Sequence, residues 1–225
     1  LPKCRAVASN SSRHGAKSLR ILQEKPPGWF DRAKRLASII ENVDGLDYDL
    51  SNGEFNPAIV ECFVSEHVEP GTTLWEPFAG HSCKNKTIEI CQKYGVRLIA
   101  YDIAPVDSRV KKANSTAVFP DNPIGGLIFH PPYLTSPAMS FEKGELSTCS
   151  QADYIDGLRR TAKIADNHML REGKICIVGR TIRSIDRTIH LEWLFSKLFL
   201  DPGYKFVRMY SSVPDWVVIL EKSHG

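Results

Sequence analysis

The stretch Phe129-His130-Pro131-Pro132-Tyr133 carries the most specific chemical signal in the chain. Proline has no N–H group and fixes its own backbone, so two in a row leave carbonyls without local donors. Such carbonyls can accept hydrogen bonds from an amino group, and Tyr133 adds an aromatic face on which a planar base can stack. A second segment, Glu76-Pro77-Phe78-Ala79-Gly80-His81-Ser82, sets a glycine where a chain can turn sharply and bring its backbone against a ligand. A third, Tyr101-Asp102-Ile103, puts an acid about 20 residues beyond that turn, a separation at which a carboxylate can hold two ribose hydroxyls. Each segment also has a structural reading: a proline-rich loop around a core tyrosine, an ordinary strand-to-helix turn, and a helix cap or surface acid. Their coincidence in one chain favours chemistry.

The elements that must position these residues alternate in type. Residues 57–68 read as a helix, with Pro57 in its first turn and Asn56 as its cap. Strands are expected at 72–77, 96–102, 126–130 and 174–179, ending near Glu76, Asp102, His130 and Gly179. Helices are expected at 83–94, 151–171 and 187–199, the second using Tyr154, Leu158, Ala162, Ala165 and Met169 on its inner face. Strands near 204–210 and 215–221 suit a closing hairpin. Strand–helix alternation predicts an α/β fold, a mostly parallel sheet with helices on both faces and a C-terminal antiparallel hairpin. In such a sheet ligands bind outside the carboxyl ends of the strands, where all three chemical segments fall.

In this order and spacing the segments resemble the amino methyltransferases that act on adenine N6, cytosine N4 or guanine N2, over roughly residues 55–222. Glu76, Pro77, Phe78 and Gly80 match that family's acid-Pro-Phe-Gly turn. Asp102 matches its ribose-binding acid, with Ile103 beside it, and Pro131, Pro132 and Tyr133 match its catalytic (Asp/Asn/Ser)-Pro-Pro-aromatic loop. Asn56-Pro57 through Pro70-Gly71 is similar to the helix that helps hold the methionine part of the cofactor. Leu170-Arg171-Glu172-Gly173-Lys174 looks like the family's Leu-x-x-Gly-Lys turn. The resemblance implies a Rossmann-like class I methyltransferase fold, S-adenosylmethionine as cofactor, and direct methyl transfer to an exocyclic amine of a DNA or RNA base. A paired base would first be flipped out.

Three positions depart from the family pattern. His130 stands where Asp, Asn or Ser is usual, and a neutral imidazole offers only one acceptor nitrogen. Ser82 stands where a second Gly is common. Asn114, with Ser115 beside it, falls where an acid often meets the adenine amino group. These departures keep two other readings open: a catalytically inactive methyltransferase fold serving as a nucleic-acid-binding or assembly module, and a protein glutamine methyltransferase.

The chain has 225 residues, 42% hydrophobic and 24% charged, enough for one sizeable domain with its own core. Residues 1–54 read as a basic arm plus one amphipathic helix (29–43), and 55–225 as the methyltransferase-type domain. Residues 1–40 alone carry nine Lys or Arg against Glu24 and Asp31, a net of +7 in a chain whose total is +3. Such an arm suits a polyanion, or is a solvated leader. Arg180, Arg183 and Arg187, expected just past a strand end, can meet phosphates or line a solvated loop, while Trp193 reads as core or partner interface. The arm is short for a sequence-reading domain, so a protein partner supplying target recognition is expected. None of the six cysteines, Cys4, Cys62, Cys83, Cys91, Cys149 and Cys176, forms a CxxC pair, so no metal is expected. Reduced core cysteines, no signal peptide and no apolar run of about 18 residues predict an intracellular protein without a membrane span.

Overall fold

A computed structural model of the chain describes residues 55–80, 86–133, 145–183, 188–200, 203–212 and 215–223. The chain divides into two compact units, Leu1–Gly45 and Leu46–Gly225. The expected basic arm and its helix at 29–43 lie outside the described residues.

Helix α1 spans Pro57–His67, and the Asn56 side chain caps it by accepting from the Ala58 N–H at 2.9 Å. Strand β1 (Thr73–Glu76), helix α2 (Thr87–Lys93) and strand β2 (Arg97–Asp102) follow, then a two-residue strand β3 (Lys111–Lys112) and strand β4 (Ile124–Phe129). Helix α3 (Gln151–His168), strand β5 (Met169–Arg183), a short strand β6 (Thr188–His190), helix α4 (Leu191–Leu200) and strands β7 (Tyr204–Ser212) and β8 (Asp215–Lys222) complete the unit. The sheet runs in the order β3-β2-β1-β4-β5-β8-β7, with β6 paired to the end of β5. Pairings from β3 through β5 are parallel, whereas β8 lies antiparallel to both β5 and β7.

Burial on both faces explains why the central strands read as continuous apolar runs. Ile175, Ile177, Val218 and Leu220 face a core shared with Tyr154, Leu158 and Ala162 of α3 and Phe195 and Phe199 of α4. Their alternates, Cys176, Val178, Val217 and Ile219, face the opposite core with Ile59, Val60 and Phe63 of α1. Among the described residues no helix is long and apolar enough to cross a membrane, and no group of His, Cys, Asp and Glu is arranged to hold a metal.

Several boundaries differ from expectation. Helix α3 stops at His168, three residues early, because Met169 already pairs with Ile124 of β4. The expected turn at Leu170–Lys174 is instead a bulge inside β5: Gly126 pairs with Lys174, so Met169–Lys174 is set against the three residues 124–126, and Glu172 takes φ 59°. Strand β5 then runs on through Arg183, held by antiparallel pairing of Thr181–Arg183 with β6. Arg180 and Arg183 therefore lie within a strand and not past its end. The β-branched pair Thr188-Ile189 joins that ladder, so α4 begins at Leu191 and not near 187.

Candidate active site

Strand β1 has β2 on one side and β4 on the other, so the direction of strand succession reverses beside it. At such a switch point the loops leaving neighbouring strands diverge and open a crevice at the carboxyl ends. The turn after β1 and the loop after β4 both leave from that edge.

The β1 turn is stitched to β2. Ala79 donates its N–H to the Tyr101 carbonyl at 2.9 Å, and Gly80 donates its own to Asp102 Oδ2 at 2.8 Å. Gly80 takes φ 52°, a left-handed conformation that glycine adopts without steric cost. Asp102 Oδ1 accepts from the Ala104 N–H at 2.8 Å, so the carboxylate is fixed by two backbone donors and each oxygen keeps a lone pair. Ile103 is half-buried beside it.

Glu76 and Pro77 are buried, Glu76 to 2% exposure. Its Oε1 accepts a long hydrogen bond from Thr87 Oγ1 at 3.4 Å, and its Oε2 has no partner. Burial drives the carboxyl up to about 8 from its ordinary 4.5; the Thr87 hydrogen bond opposes this, and the Asp102 charge reinforces it. The Pro77 carbonyl accepts from the Ser115 hydroxyl. Asn114 turns its amide oxygen onto Thr116, accepting from the N–H at 3.0 Å and from Oγ1 at 2.8 Å. Phe78 packs edge-on against Phe129, 5.6 Å between centroids, which ties the β1 turn to the end of β4.

The loop after β4 is fixed from three sides. His130, 9% exposed, packs edge-on against Phe55 (4.9 Å), which directly precedes Asn56 and the buried Pro57. Its Nε2 lies 3.3 Å from the Tyr133 hydroxyl, with the two rings nearly perpendicular at 88°. Burial, aided by the Arg180 charge, lowers the imidazole to about 3, so it is neutral and its Nε2 is committed to Tyr133. Pro131 is buried, and the Pro132 carbonyl accepts from the Tyr154 hydroxyl of α3 at 2.9 Å. Tyr154 thus does more than fill the inner face of its helix. Tyr133 is half-buried, and burial followed by the Asp215 charge pushes its hydroxyl well above the usual tyrosine range.

A polar group not foreseen from the sequence stands beside this loop. Arg180 of β5 places both Nε and Nη2 at 3.0 Å from Oδ1 of Asp215, the first residue of β8. Glu192, in the first turn of α4, meets His190 Nδ1 at 3.1 Å through Oε1. Asp215 and Glu192 are each 1% exposed, and each has one carboxylate oxygen without a partner. Asp215 is 35 residues from Arg180, a distance that local spacing cannot reveal. The side chain of Arg183 and all of Arg187, His81 and Ser82 lie outside what is described. Trp193 is 45% exposed, not core.

The fold is that of class I methyltransferases. TrmN from Thermus thermophilus superposes with a TM-score of 0.51 at 13% identity, covering 75% of this chain and 49% of that one. Burkholderia thailandensis 1,6-didemethyltoxoflavin-N1-methyltransferase, solved with 1,6-didemethyltoxoflavin and S-adenosylhomocysteine, superposes with a TM-score of 0.50 at 12% identity, covering 98% and 94%. No family model and no curated protein sequence matches the chain. The likeness at these identities is one of fold, and the chain spans about half the length of TrmN.

Proposed function

We propose that this chain is an S-adenosylmethionine-dependent methyltransferase acting on an exocyclic amino group of a DNA or RNA base. The observation that carries the reading is the Gly80–Asp102 hydrogen bond, which sets the acid-Pro-Phe-Gly turn and the acid at the end of β2 side by side at the switch point. The residues present fit the cofactor. Asp102 has lone pairs for two ribose hydroxyls, and the orphaned Glu76 Oε2 is an acceptor waiting for a donor such as the ammonium of the methionine part. Asn56 and Pro57 shape the neighbouring wall, and Asn114 and Ile103 flank the adenine side.

When bound, the cofactor supplies an electrophilic methyl group on a sulfonium. The protein's part is to hold the nucleophile. Tyr133 offers a face for the base, and the Pro131 carbonyl accepts a hydrogen from the amine. That hydrogen bond favours a lone pair less delocalised into the ring. Tyr154, by occupying the Pro132 carbonyl, fixes the loop that presents Pro131. With the cofactor in place, the amine held by Tyr133 and the Pro131 carbonyl would take up the methyl group, and the proton that the nitrogen gives up would pass to solvent. Orientation supplies most of the rate. Arg183 and Arg187 are proposed phosphate contacts, together with a protein partner or the basic arm for target choice. Arg180, drawn onto Asp215, acts through that residue.

One observation favours a second reading, an inactive fold used as a nucleic-acid-binding module. His130, in the position where the family has a free acceptor, is buried and already bonded to Tyr133. Calorimetric titration with S-adenosylmethionine, alongside Asp102→Ala, tests the cofactor site first. Saturable binding that the substitution weakens by about 10-fold or more supports the enzyme, since the substitution removes charge-assisted hydrogen bonds. Labelled-methyl transfer onto DNA, RNA and protein pools then separates the targets. No transfer from a cofactor-loaded protein onto any pool favours the binding module.

A further inference from the structure

In the loop after β4 the His130 Nε2 lies against the Tyr133 hydroxyl at 3.3 Å, so that nitrogen is engaged within the loop. The structure has an acceptor one strand further along. Arg180 and Asp215 are directly paired in the antiparallel ladder of β5 and β8, so Asp215 opens β8 at the carboxyl end of the parallel strands, the end where the crevice lies. An arginine facing a carboxylate ordinarily spreads its fork over both oxygens. Here both guanidinium nitrogens meet Oδ1, and Oδ2 is buried without a partner. An orphaned carboxylate oxygen is costly unless a donor arrives. Phe129, the residue before the loop, pairs with Ile177, three residues short of Arg180 on the neighbouring strand, so the loop leaves the sheet next to the Arg180–Asp215 pair, and the Asp215 charge acts on the Tyr133 hydroxyl.

We propose that Asp215 is a substrate-binding residue whose Oδ2 accepts a hydrogen bond from the amino group of the base stacked on Tyr133, with Arg180 as the positioning residue that holds Oδ1 and leaves Oδ2 for the substrate. The proposal rests on the base-methyltransferase reading and deepens it. The loop supplies one acceptor, the Pro131 carbonyl, for one amine hydrogen, and Asp215 supplies a second for the other. The site therefore selects a base that carries an exocyclic amine over the same ring without one.

Paired nucleosides test this: adenosine against purine riboside, cytidine against uridine, and guanosine against inosine. Binding is measured by equilibrium dialysis with the full chain saturated with S-adenosylhomocysteine. The wild type is expected to prefer one amino-bearing member over its partner by about 10- to 100-fold, the worth of one hydrogen bond to a charged group. Asp215→Asn keeps an oxygen for Arg180 but sets an amide donor where Oδ2 stood. It is expected to abolish the preference while S-adenosylhomocysteine affinity and thermal midpoint hold. Arg180→Gln is expected to weaken the preference without removing the binding of the ring. A preference that survives Asp215→Asn overturns the proposal and leaves the methyltransferase reading standing. So does a preference lost in Glu192→Gln instead, which would assign the acceptor to Glu192. A wild-type protein that binds S-adenosylhomocysteine but no nucleoside overturns both the base target and the role of Asp215. One that binds no S-adenosylhomocysteine overturns the cofactor reading and the proposal with it.

Discussion

Glu76 holds a carboxyl group where water does not reach it, with one oxygen unbonded. Its carboxyl sits at about 8 in the folded protein against 4.5 ordinarily. Between those values the native protein keeps a proton that the unfolded chain has released. Stability from this group is full below pH 4.5 and falls as pH rises toward 8, by at most about 1.4 kcal/mol per pH unit. Glu76→Gln is expected to remove that slope in urea titrations run from pH 5 to pH 8. The same group links pH to the cofactor. An ammonium at Oε2 requires the carboxylate, so S-adenosylmethionine binding below pH 8 should release a proton. Affinity is then expected to rise with pH, by up to about tenfold per unit, until an α-amino group itself deprotonates near ~8. Calorimetry in two buffers of different ionisation enthalpy reads the proton directly. An affinity independent of pH from 6 to 8 would take the ammonium away from Glu76. At this scale the sequence singles out as candidates the residues whose motif is stereotyped: Gly80, Asp102, Pro131, Pro132 and Tyr133. It does not single out the buried acids Asp215 or Glu192, because an ordinary acid is placed only by the strand or helix start brought against it. Nor did it show that His130 spends its nitrogen on Tyr133, which depends on the turn of a single ring.

Elements were legible where their signal was local. Asn56 before Pro57 marked the start of α1, and the structure bears out both cap and helix. Asn56→Ala is expected to cost about 1 kcal/mol of unfolding free energy by urea titration. The same substitution should also loosen the segment that sets Phe55 against His130. The boundaries around β5 were not legible, because its bulge and its extension to Arg183 are fixed by partners far along the chain. Residues 170–174 have turn chemistry, yet β4 draws them into the sheet. Lys111–Lys112 is too short to show any period at all. One contact at this scale joins fold to site. A Cβ on Gly179 would stand 2.6 Å from the Glu192 nitrogen and 2.9 Å from its Cα, backbone atoms that cannot swing aside. Gly179→Ala is therefore expected to push the start of α4 off the sheet and cost about 1–3 kcal/mol. Because Gly179 directly precedes Arg180, which holds Asp215, the variant should bind substrate more weakly than its loss of stability explains. Denaturation and dialysis on the same preparation separate the two effects.

Across the whole molecule the charge is uneven, +7 in residues 1–40 and −4 in the rest. The remainder of the chain alone therefore offers a polyanion little attraction. Several of its described bases are moreover paired with acids at the surface, as Arg109 is with Asp107 and Glu89, and Lys93 with Glu61. If the substrate is a nucleic acid, the arm must supply most of the phosphate affinity. Each neutralised phosphate adds about 0.7 to 0.9 to the steepness with which log affinity falls against log salt. Removing residues 1–40 is thus expected to weaken binding of a single-stranded oligonucleotide and to flatten that salt dependence by several units, with a ceiling of about 5 for seven net charges at about 0.7 each. Affinity for S-adenosylmethionine should stay within about twofold, since Glu76, Asp102 and the β1 turn are all stitched together within residues 46–225. Fluorescence anisotropy between 50 and 300 mM salt measures the first effect and calorimetry the second. A truncated chain that kept the full salt slope would move the phosphate contacts to the β5 end, to Arg183 and Arg187, and leave the arm a solvated leader. A truncated chain that lost the cofactor would show that residues 1–40 help to build the site, a role that their charge alone does not require.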